Sequence, residues 1–167
     1  MVIENQVSIF NTCLGLMQNE EDANDLAQDT FMEAFKHYSD FRKDSSPKTW
    51  LYRIAVNKCL EKIRGKKAKK RSNNSIPIYG SINDFCGSFL HPGVLLENQE
   101  RAKILFAAIK KLPEDQYMTF TLHKVEGLNQ REIAKIIDKS VSSVESLIHR
   151  AKMNLRKSLK SYYYETS

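Results

Sequence analysis

Four carboxylates recur every three to four residues near the start of the chain: Asp22, Asp25, Asp29 and Glu33. On a helix that spacing gathers them into one stripe. Carboxylates so placed can act as general acid and base, or as ligands of a divalent cation. No histidine stands three residues after a glutamate here, as di-iron helical bundles require. A metal centre is therefore disfavoured, and two readings stay open: a solvated acidic face, or an interaction face in which Leu26, Met32 and Phe35 stand beside the acids. The three cysteines (Cys13, Cys59, Cys86) form no CxxC and keep no regular spacing to the histidines, which excludes a disulfide framework and a zinc site. No GxGxxG, GxxxxGK[ST] or GxSxG arrangement is present, so neither a phosphate cradle nor a nucleophile elbow is expected. Catalytic signals are thus lacking, and we expect no cofactor.

The elements that carry the remaining chemistry are basic. The 167 residues have a net charge of +6, but it is partitioned: residues 1–50 carry −5, residues 51–71 carry +8, residues 72–100 carry −3 and residues 101–167 carry +6. Two separate cationic blocks suit a polyanion touched twice. The first begins at Ser46 and Pro47, a capping hydroxyl followed by the residue best tolerated at a helix start. Trp50, Leu51, Ile54 and Ala55 form the apolar stripe of that helix, while Arg53, Asn57 and Lys58 fall away from it. It then enters Lys62–Arg71, where seven of ten residues are Lys or Arg, among them Lys62, Arg64, Lys66 and Lys67. An amphipathic helix with an aromatic, an amide and a basic run suits phosphate contacts combined with stacking or reading of bases.

Upstream, Glu21–Tyr38 reads as a helix buried along Ala23, Ala27, Phe31, Ala34 and Tyr38. Residues 72–96, rich in Ser, Gly, Asn and Pro and without a fixed apolar period, read as a linker. Beyond it, Glu97–Lys111 places Ala102, Leu105, Ile109 and Leu112 in phase. Pro113 opens a helix buried along Met118, Leu122 and Val125 and closed by Gly127, where left-handed geometry is needed. Asn129–Glu132 has the form of a capping box before a short helix with Ile133, Ala134 and Ile137 inward. After a turn at Asp138–Val141, Ser142–Glu145 has the form of a second box, opening a longer helix along Val144, Leu147, Ile148, Ala151 and Leu155. Two helices joined by a tight turn form a helix-turn-helix pattern. Its second helix would offer Ser143, Ser146, His149 and Arg150 to a major groove; Glu145 is either a cap or a base contact. The expected fold is all-α: two small helical domains joined by a linker, at residues 1–71, 72–96 and 97–167.

These residues resemble a known family. Asp22–Phe31, Phe41-Arg42 and Thr49–Asn57 are similar to region 2 of bacterial sigma factors of the extracytoplasmic-function group, within the sigma-70 family. Leu112-Pro113, Glu126–Ala134 and Val144 with His149–Ala151 are similar to region 4 of the same group. The resemblance spans about Phe10–Arg71 and Gln99–Leu159, in family order. It implies a non-enzymatic subunit that binds core RNA polymerase and directs it to promoter DNA.

By the family pattern, Asp25, Leu26, Gln28, Asp29, Phe31 and Met32 dock on the β′ coiled coil. Arg53, Asn57, Lys58 and the basic run hold the −10 strand, with Asn57 and the loop Phe41–Thr49 receiving a flipped base. Ser142, Ser143, Glu145, Ser146, His149 and Arg150 face the −35 duplex, and region 4 meets the β flap. The resemblance also implies a possible anti-sigma partner. Against the family pattern the first helix is shortened, and Glu145 and Leu147 stand where bases are common, which implies an altered −35 preference. The longest apolar run, Ile104–Ile109, is far short of the ~20 residues of a membrane span, and no Lys or Arg precedes Lys36. A cytoplasmic protein without membrane insertion is expected. The competing reading is a two-domain helix-turn-helix regulator that binds duplex DNA without polymerase.

Overall fold

The computed structural model describes residues 2–41, 45–73 and 96–165. Among these the structure is helical throughout: α1 (Val2–Met17), α2 (Glu20–Lys36), a 3₁₀ turn (Tyr38–Asp40), α3 (Pro47–Asn73), α4 (Leu96–Lys110), α5 (Glu114–Lys124), α6 (Gln130–Ile137) and α7 (Val141–Glu165). The first three helices pack pairwise into one bundle and the last four into a second. The two-domain, all-α architecture expected from the sequence is the one observed, and α3 continues two residues past the expected boundary at Arg71. The span 74–95, which holds most of the expected linker, lies outside the described residues.

The first core is closed by small residues. Ile9, Cys13 and Leu16 of α1 meet Ala23, Ala27 and Ala34 of α2 and Leu51, Ala55 and Cys59 of α3, all buried. Alanines at the contact let helix axes approach, and the long side chains of the neighbours fill what remains. Asn19 caps α2, its side chain accepting from the Asp22 N–H at 2.8 Å. The buried Thr30 hydroxyl donates to the Leu26 carbonyl at 2.7 Å, so no polar group is stranded on that face.

The stripe of α2 is rotated from the expected one. Leu26 is buried (5% exposed), while Tyr38 lies beyond the helix end and is 59% exposed. Leu26 stands three residues after Ala23 and four before Thr30, and the stripe 23–26–27–30–34 covers the core better than one ending on a bulky phenol. In α3, Tyr52, Val56 and Leu60 take core positions, while Trp50 and Ile54 are half-buried at its margin.

The second core is built on Ile109, Leu112, Met118, Leu122, Ile133, Val144, Ile148, Ala151 and Leu155. Leu105 is exposed rather than buried, and Ala108 takes the place next to Ile109. Val125, Ile137 and Leu147 are half-buried, with Ile136 turned inward in α6. Gly127 has φ +68°, as its place after α5 demands. The Asn129–Glu132 capping box is complete in both directions.

The second box is not formed. Asp138 turns left-handed (φ 53°), which shortens the connection so that α7 starts at Val141. Ser140 is then the cap, its hydroxyl accepting from the Ser143 N–H at 3.2 Å. Glu145 is thereby released from capping and is exposed.

Candidate nucleic-acid interface

Region by region, the sequence fixes which side chains are left outside these cores. On α2, Asp25, Gln28, Asp29 and Met32 are exposed, Phe31 is half-buried and Leu26 is inside. Leu26 is therefore a core residue under this face and cannot be presented by it without unfolding the bundle. Phe35, 86% exposed, and Tyr38 extend the apolar edge beside Met32. The face thus combines free carboxylates with large uncovered apolar side chains, the composition of a docking surface.

Asp22, at the other end of the stripe, is not free. Its carboxylate meets Lys62 at 3.0 Å and also Lys66. Burial pushes its pKa up, but the hydrogen bonds from Lys66 and Lys62 outweigh that and hold it below the ordinary 3.8. A lowered folded value means stability that is present above pH 3.8 and lost as acid takes the pH through the folded pKa. Asp22→Asn is expected to cost about 1 kcal/mol in urea unfolding near neutral pH. Below the folded pKa the variant and the parent should converge. A gap that persists in acid would mean that the two lysines do not account for the difference.

On α3, Asn57 is exposed with Arg53 and Lys58 half-exposed on the same side. Ahead of them Phe41 packs on Trp50, ring centroids 5.0 Å apart and tilted by 36°. Residues 42–44 of the loop expected to receive a base lie outside the described residues. Several of the basic side chains are already engaged. Lys58 faces Glu33 at 3.9 Å, and Lys62 and Lys66 hold Asp22. Arg64 donates from Nε at 2.9 Å and from a terminal nitrogen at 2.6 Å to one oxygen of Glu114, which Lys67 approaches at 3.9 Å. Arg53 donates to the Lys135 carbonyl at 2.9 Å and lies 3.9 Å from Asp138. Sequence reasoning missed these partners, because Glu114, Lys135 and Asp138 belong to the second domain.

On α7, Ser142, Ser143, Glu145, Ser146, His149 and Arg150 are all exposed along the side opposite Val144, Ile148 and Ala151. They occupy the first three turns of the second helix of a tight helix-turn-helix, the part that enters a major groove in proteins of this geometry. No group of three or more His, Cys, Asp or Glu able to hold a metal exists among the described residues.

Residues 1–69 match the family model for sigma-70 region 2, and residues 102–155 match that for sigma-70 region 4. The chain is 35% identical to the ECF RNA polymerase sigma-E factor of Salmonella typhimurium over 134 residues, covering 78% of this chain and 70% of that one. The chain belongs to the extracytoplasmic-function sigma factors. The sigma-E factor of Escherichia coli K12 matches equally, at 35% over 134 residues, and that of Haemophilus influenzae at 34% over 138 residues, covering 80% of this chain and 72% of that one. Among solved structures, the sigma factor RpoE bound to the anti-sigma factor NepR from Bartonella quintana superposes with a TM-score of 0.72. That match has 22% identity and covers 95% of this chain and 94% of that one. CnrH bound to the cytosolic domain of CnrY superposes at 0.68 with 23% identity, covering 96% and 85%. At those identities the likeness shows the fold of this sigma factor. As a sigma factor the chain binds core RNA polymerase and directs promoter recognition and DNA melting for transcription initiation. No helix among its described residues is long and apolar enough to cross a membrane.

Proposed function

We propose that residues 1–71 dock on polymerase and hold the melted −10 strand, that 72–96 connect, and that 97–167 read the −35 duplex. Asp25, Gln28, Asp29, Phe31 and Met32 meet the β′ coiled coil, with Leu26 supporting them from the core. Arg53, Lys58, Lys62, Arg64, Lys66 and Lys67 hold the strand backbone, and Asn57 contacts an unstacked base. Ser142, Ser143, Glu145, Ser146, His149 and Arg150 face the −35 groove while the second domain meets the β flap.

The observation that carries this reading is the pairing, in one chain, of an exposed amide beside a cationic helix with an exposed groove-facing helix on a separate domain. Single strands are held by cationic grooves and stacking, whereas duplex bases are read from a helix in the major groove. Two modest contacts become one strong one when a polymerase fixes their spacing.

Glu145, exposed among Ser142, Ser143 and Ser146 and freed from capping, supports a role for that carboxylate in accepting from a cytosine amine. One structural neighbour is solved with the anti-sigma factor NepR, which supports such a partner for this chain too. The action is regulatory binding rather than enzymatic turnover, and it takes place in the cytoplasm.

Asn57→Ala tests the division of labour. With core polymerase on a promoter library, permanganate reactivity of melted DNA should fall about tenfold while duplex retention stays the same. Equal loss of both would refute the role in the melted strand.

A further inference from the structure

The two domains do not hang apart. They meet along α1–α5 and α3–α6, and the seam is specific. The buried Tyr117 hydroxyl donates to the carbonyls of Gly15 and Leu16 at the end of α1. Gln18, left-handed at φ 51°, sends its amide to the Phe106 carbonyl at 3.2 Å. Gly15 makes the close approach possible, since a Cβ there would stand 3.0 Å from the Thr121 methyl. Around this contact, Arg64 and Lys67 are taken by Glu114, and Arg53 by the Lys135 carbonyl and Asp138. Carboxylates and a carbonyl of the second domain thus occupy the donors that a nucleic-acid backbone would use.

One component opposes closure. Glu126 follows α5 into the seam, its Oε1 buried without a hydrogen-bond partner among the described residues and 3.6 Å from where a Cβ on Gly15 would lie. The nearby Thr12 hydroxyl already serves the Ser8 carbonyl at 2.9 Å. Tyr52 of α3 is raised by the charges of both Glu126 and Glu132 of α6, which places these titratable groups together at this corner, and neither Tyr52 nor Glu132 is a cation. A charged carboxylate half-buried there gains no counter-charge from these groups.

We infer that the second domain folds back on the first as an intramolecular inhibitor of single-strand binding, and that the Glu126 carboxyl in the seam sets how firmly the two close. The inhibitory half of this rests on the contacts proposed above for Arg53, Arg64 and Lys67.

The sign follows from linkage. Burial pushes Glu126 up to about 7, partly offset by Thr12, whereas an opened seam returns it towards 4.5. The closed form therefore binds the proton more tightly, and closure weakens as pH rises from 4.5 to about 7 and is level above. Between pH 5.5 and 8 the closed-to-open ratio falls about thirtyfold. Near neutrality the seam is thus shut against an internal repulsion that polymerase or DNA can exploit.

Small-angle scattering of the full chain at about pH 5.5 and about pH 8 reads closure directly. The parent should be compact in acid and expand at the higher pH. Glu126→Gln, which keeps the shape and loses the charge, should stay compact at both. Gly15→Leu and, independently, Glu114→Lys should be expanded at both with helix content unchanged by circular dichroism. A parent of constant radius, or a Glu126→Gln variant that expands with it, overturns the inference.

Fluorescence anisotropy with a labelled single-stranded DNA of about 20 nucleotides and random sequence reads inhibition. At the lower pH the expanded variants should bind about tenfold tighter than the parent. Equal binding, with Arg53→Ala weakening both forms, overturns the inhibitory contact. Indifference to Arg53→Ala in every background overturns instead the strand contacts on which that contact rests.

Discussion

Assembly of the Asp29→Lys variant with core polymerase is expected to be about a hundredfold weaker than that of the parent, with helix content unchanged. Asp29 is exposed on α2, and within its own domain its carboxylate acts on Lys62 through charge alone, so its replacement leaves the core untouched. What changes is the field of the face proposed to dock, where Asp25 and Asp29 stand beside the uncovered Met32 and Phe35. A basic partner surface would then meet a like charge at the centre of the contact. The effect should grow as salt is lowered, because exposed charges are screened over about 8 Å at physiological ionic strength. Fluorescence titration of core enzyme with labelled variants at two salt concentrations measures both. Unchanged affinity would remove α2 as the docking element.

The largest stability effect is expected at Leu122, which is wholly buried in α5 among the helices of the second domain. Leu122→Ala removes three carbons and leaves a cavity that the facing helices fill only in part, at a cost of about 3 kcal/mol. A four-helix unit of this size has only a few kcal/mol in reserve. The variant should therefore melt in two steps, the second domain first and the α1–α3 bundle near its original temperature. Differential scanning calorimetry distinguishes this from a single lowered transition. A single transition would show that the seam couples the two bundles more strongly than each holds itself together.

Local signals in the sequence were readable in proportion to how local the chemistry was. The Ser46–Pro47 start of α3, with the Ser46 hydroxyl accepting from the Thr49 N–H at 3.1 Å, involves neighbours only. So do the Asn129 capping box and the left-handed Gly127. Periodicity placed every helix except α1 (Val2–Met17), which no pattern was read for, and it missed some facings, because several apolar residues compete for one stripe and the partner helix decides. Leu26 won over Tyr38, Ile136 over Ile137, and Ala108 over Leu105. The cap at Ser140 was hidden by a left-handed aspartate, a conformation that sequence pattern does not announce. On the site, the exposed side of α7 that carries Ser142, Ser143, Glu145, Ser146, His149 and Arg150 followed from its apolar phase. The intramolecular partners of Arg53 and Arg64 did not, since Lys135 and Glu114 lie 82 and 50 residues away and only the packing of one bundle on the other brings them near.

Cys13 and Cys59 face each other across α1 and α3 with no exposed surface, and the contact with Cys13 together with burial lifts the Cys59 thiol well above its ordinary pKa. Such thiols are inert to alkylating reagents until the helices around them part. Each is therefore a natural clock for that event. The rate at which iodoacetamide consumes them in the native protein equals the rate at which the first bundle unfolds when labelling is fast, and reports its opening free energy when labelling is slow.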